Sequence, residues 1–187
     1  MRKLQAVADD GETTAERIRA IGILQSVNAF APLVSKPVDE PNSVRQFQAY
    51  ADDKRAVSLL KSGDEYLRAW AIQLACEDKK PSDTLLKEFA RLAKADASPV
   101  VRLYLASACQ RLSIEQRLPI LENLLTHAED ADDHNLPLMY WYATEAVAAQ
   151  GTAKAIPLLS KTKIPKVREF ITKRMTAASK PTAAAGD

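Results

Sequence analysis

Beyond residue 13 the chain repeats apolar positions every three or four residues, broken by short polar or proline-containing turns. That period belongs to helices with one buried face. "TTAERIRAIGILQSV" sets Ile18, Ile21, Leu24 and Val27 on one side and opens with Thr13-x-x-Glu16, a capping box. "DEYLRAWAIQLACED" places Leu67, Trp70, Ala71 and Leu74 in one register. "SPVVRLYLASACQRL" starts with Ser98 as N-cap and Pro99 at the first helical position, where a missing N–H does no harm. Ser113-x-x-Gln116 is a second capping box, and Pro165 opens "KIPKVREFITKRM". No alternating strand pattern with hairpin turns is present.

The helices also pair. Aligning "YLRAWAIQLA", "VVRLYLASAC", "LPLMYWYATE" and "KVREFITKRM" superposes Arg68, Arg102, Leu138 and Arg168, at separations of 34, 36 and 30 residues. A loose period of this length in helical sequence predicts stacked helical hairpins. The helices preceding these four are "DDKRAVSLLKSG", "DTLLKEFARLAKA", "IEQRLPILENLLTHA" and "AKAIPLLSK". The expected fold is all-α, a HEAT or armadillo-like α-α superhelix of about four to five helical hairpins over residues 1–178. Within it, residues 30–42 carry three prolines and read as an irregular connection. Residues 179–187 are small and low in complexity, a tail or linker. The stripe through Trp70, Leu105, Trp141 and Ile171 is expected between repeats.

Composition narrows the function classes more than it selects one. With 26 basic and 24 acidic residues, the charge balance gives no footprint for nucleic acid or a membrane surface. No apolar run approaches a spanning helix, so no membrane insertion by this chain is expected. Cys76 and Cys109 each sit alone in a helical pattern and read as buried thiols.

The densest chemistry lies in "HAEDADDHNLPLMYWYATEAV", residues 127–147. Glu129, Asp130, Asp132, Asp133, His127 and His134 include the residue types that bind metals. Calcium, however, needs six to eight oxygens and usually a glycine-permitted turn, and "EDADDHN" has no glycine. The histidines are seven apart with no thiolate, poor spacing for zinc. These carboxylates are therefore expected to cap and solvate a turn, with Asp133 or Asn135 capping the next helix. Tyr140, Trp141 and Tyr142 must divide between core and surface, and Tyr140 or Trp141 is expected to anchor a repeat interface. Arg68, Arg102 and Arg168 are expected to bridge to a carboxylate or carbonyl of the adjacent hairpin. A rival reading casts Trp70, Trp141 and Asp133 as groups of a HEAT-like DNA glycosylase, against which stand the charge balance and the missing motif.

Residues 100–147, "DADDHNLPLMYWY" above all, resemble the helical-repeat segment of the PVC-type haem-binding CxxCH proteins, a group designated membrane-bound dehydrogenases. The resemblance is looser over about 55–177 and generic over the first 54 residues. It implies a parent with a β-propeller before the repeats and a c-type cytochrome after them, periplasmic or membrane-associated. It also implies that this chain is a non-catalytic scaffold whose partners are other domains of a redox protein, or another protein. Haem attachment requires C-x-x-C-H, whereas Cys76 precedes "EDKK" and Cys109 precedes "QRLS". No cofactor, metal or catalytic residue is expected in the chain itself. Arg68, Arg102, Asp132, Asp133, His134, Tyr140, Trp141 and Arg168 remain as candidate structural or interaction residues.

Overall fold

A computed structural model describes residues 2–23, 53–77 and 79–178. The Pro-rich connection 30–42, the tail 179–187, and Leu24 and Val27 lie outside the described residues. Among the described residues the regular structure is helical throughout: α1 (Arg2–Asp10), α2 (14–23), α3 (Asp53–Leu60), α4 (Glu65–Ala75), α5 (Asp83–Ala95), α6 (Pro99–Cys109), α7 (Ile114–Leu124), a 3-10 turn (Ala128–Asp130), α8 (Leu136–Ala149), α9 (Thr152–Lys161) and α10 (Pro165–Ala178). This is an all-α helical-repeat fold. The sequence reads as one domain over 1–178; the structure divides into two compact units, Met1–Glu88 and Phe89–Asp187.

In the first unit, α3 packs on α4. Ala8, Ala20, Ile21 and Leu67 form a small core, against which Ile18, Leu59, Trp70 and Leu74 pack. The expected faces of α2 and α4 thus meet. The Thr13–Glu16 capping box forms, each side chain accepting from the other residue's amide at 3.2 and 3.3 Å. Asp64 caps α4 by accepting from the amides of Tyr66 and Leu67, and it also accepts the Thr14 hydroxyl. Arg55 pairs with Asp9.

In the second unit, α8 packs against both α6 and α10, so the second helices of successive hairpins form one layer. The first helices α7 and α9 pack beside one another in the other layer. Two ion pairs join them, Glu115–Lys154 at 3.1 Å and Glu122–Lys161 at 2.7 Å, each spanning 39 positions. Advancing seven residues on both helices between pairs makes α7 and α9 parallel. The same logic makes α8 and α10 parallel: Trp141 meets Phe170 at a centroid distance of 5.3 Å, and Arg174 donates to Glu145 at 2.8 Å across 29 positions. Ser98 and Ser113 cap α6 and α7 as their sequences require, the latter with Gln116 completing the box. Pro119 and Pro157 lie inside α7 and α9, each the sixth residue of its helix. Of the expected inter-repeat stripe, Leu105 and Ile171 are buried, whereas Trp70 and Trp141 are only partly so.

Candidate functional site

The hairpin turns share a local device. In the windows "SGDEYLR", "DASPVVR" and "TKIPKVR", the first residue's side-chain oxygen accepts from the amide two positions on: Ser62 from Asp64 at 3.2 Å, Asp96 from Ser98 at 3.0 Å, and Thr162 from Ile164 at 3.3 Å. The carbonyl of that same residue accepts from the arginine six positions on, at 2.9 Å for Arg68 and for Arg102, and likewise for Arg168. Each arginine is the fourth residue of its helix and folds back over the turn that precedes it. The expectation that these guanidiniums bridge to an adjacent hairpin is therefore corrected for Arg168, whose carbonyl acceptor lies in the turn before its own helix; Arg68 too donates to carbonyls of its own turn, Ser62 and Gly63. Helix starts are set by the turn, so an arginine three residues past the start reaches the nearest carbonyls, its own turn's.

The fourth turn differs. Its window is "DHNLPLM": Asp133 Oδ1 accepts from Asn135 and Leu136 amides, both at 2.8 Å, and the arginine position is Met139. The alignment on Leu138 is therefore one residue early. Of the two proposed caps, Asp133 supplies the bonds, while Asn135 sits at the N-cap without a side-chain bond. Those two backbone bonds hold the Asp133 carboxyl below its ordinary range.

Residues 125–135 make the longest connector within a hairpin of the second unit, and they fold inward at one point. The 3-10 turn rotates Asp130 into the interior, where it is 3% exposed. Arg102, also 3% exposed, donates to it twice, from Nε at 2.7 Å and from Nη2 at 2.5 Å, while its Nη1 holds the Asp96 carbonyl. Tyr140, fully buried, donates its hydroxyl to Asp130 Oδ2 at 2.6 Å. Thr144, one turn on, donates to the Tyr140 carbonyl. Burial alone lowers the Arg102 pKa, but the bonds and charge of Asp130 outweigh it and the net shift is upward. Burial, reinforced by the Asp130 carboxylate, pushes the Tyr140 phenol well above its ordinary value.

His127 fastens the same connector from the other side. Its Nε2 lies 2.8 Å from the Ala93 carbonyl, which can only accept, so Nε2 carries hydrogen. Its Nδ1 lies 2.6 Å from Glu129, whose carboxyl is held low first by that contact. The backbone contributes too, since the Lys163 amide donates to the Leu125 carbonyl at 2.8 Å.

The structure thus separates the candidates. Arg102 and Tyr140 come together at Asp130, the one carboxylate of the cluster that does not solvate the turn as expected. Asp132, Asp133 and His134 are exposed, and Trp141 packs on Phe170 rather than on this group. Both aromatics lie at repeat interfaces: Tyr140 reaches Arg102 of the preceding hairpin through Asp130, and Trp141 packs on Phe170 of the next. Asp133, the acid of the glycosylase reading, has Oδ1 committed to two amides. Among the described residues no group of three or more His, Cys, Asp and Glu is arranged to hold a metal ion. Nor is any described helix long and apolar enough to cross a membrane. One signal for the buried pair was available in the sequence: Arg102 interrupts the apolar face of "VVRLYLASAC", and a buried guanidinium needs a carboxylate. Nothing local says which acid of "EDADD" supplies it. No family model, curated protein or solved structure matches the chain.

Proposed function

We propose that this chain is a non-catalytic helical-repeat module that holds other domains, or another protein, in a fixed relation. The observation that supports the reading is the engagement of its most reactive-looking segment. Asp130, Tyr140, Arg102 and His127 have their polar atoms directed at one another and at backbone carbonyls. A substrate-binding carboxylate or imidazole requires an approachable atom, and Asp130 is closed off by its own partners.

Within this proposal, the resemblance of residues 100–147 to the PVC-type CxxCH proteins gives the module a place between a propeller and a c-type cytochrome. The coding sequence on either side of the chain tests it. A strand-rich propeller upstream and a C-x-x-C-H downstream support the scaffold role; a stand-alone reading frame replaces it with a protein-binding adaptor. Purified protein given haem, or assayed for electron transfer from a sugar to an artificial acceptor, is expected to show neither binding nor turnover. Stoichiometric haem uptake or turnover would overturn the non-catalytic reading.

A further inference from the structure

We draw no further inference here: the strongest candidate, the partly exposed aromatic row Tyr104, Trp141 and Phe170 on successive second helices with exposed Tyr142 following Trp141, is an unpartnered surface patch and nothing in the structure shows what covers it.

Discussion

At the scale of single residues, the acidic segment separates into one interior carboxylate and several at the surface. Removing Asp130 strands the Arg102 guanidinium in the interior, and breaking a buried pair from one side costs about 3–5 kcal/mol. Asp130→Ala should therefore lower stability to urea by that order, while Asp132→Ala and His134→Ala should stay within about 0.5 kcal/mol of the parent. Equal effects from all three would remove the distinction drawn between them. Tyr140→Phe deletes one bond to a charged acceptor and should cost about 1.5–3 kcal/mol. The Tyr140 phenol also sets an alkaline limit. Its pKa is raised on folding, so the folded state holds the proton more tightly. That contribution is whole below about pH 10, the ordinary value, and is lost as pH rises beyond it. Chemical denaturation from pH 8 to 11 should show stability falling at the alkaline end, and Tyr140→Phe should flatten that fall. Asp133 and Glu129 run the other way: their lowered pKa values favour the fold above the ordinary carboxylate range, about pH 4, and the contribution fades as pH drops through it.

At the scale of elements, three hairpin turns are fixed by a short polar residue and an arginine six positions later, and the arginine matters through the carbonyls of its own turn. Arg168→Met copies the residue found at Met139 and should destabilise by about 1 kcal/mol, since a charge-assisted bond is lost at a partly exposed site. Differential scanning calorimetry can read this against Lys166→Met, a nearby exposed substitution expected to be neutral. The junction of α8 and α9 depends on backbone instead. Gly151 has φ +113°, a region closed to side chains, yet a Cβ there would meet nothing within 4 Å. Gly151→Ala should therefore cost about 1–3 kcal/mol through dihedral strain alone. A larger exposed residue such as Gly151→Ser should cost about the same as alanine, because crowding is absent; a steep dependence on side-chain size in thermal unfolding would refute that account. The capping boxes and the proline at the start of α6 were legible in the sequence because capping uses residues within four positions of one another.

At the scale of the whole molecule, repeat arrays ordinarily gain stability from neighbour to neighbour. The long connector of the second unit departs from that by touching three places at once: α5 through His127, α6 through Asp130, and the turn before α10 through Leu125. Residues 89–178 should consequently lose structure together. Native-state hydrogen exchange on Asp130→Ala is expected to show protection falling alike in α6, α8 and α10. Loss confined to α6 and α8 would mean that the hairpins unfold piecemeal.

The helical class, the hairpin period and most helix starts follow from the sequence alone, because apolar spacing, caps and prolines act over a few residues and mean the same in any surroundings. Arg102 could be seen as an anomaly on an apolar face, but its partner could not be named. Which of Asp130, Asp132 and Asp133 turned inward, and which of Tyr140 and Trp141 became fully buried, depended on the connector docking against α6. Likewise, the one-residue displacement from Leu138 to Met139 was decided by where the Asp133 turn closes. Pairing a carboxylate with a guanidinium 28 positions away requires both backbones to be in place first, and only the tertiary structure supplies that distance.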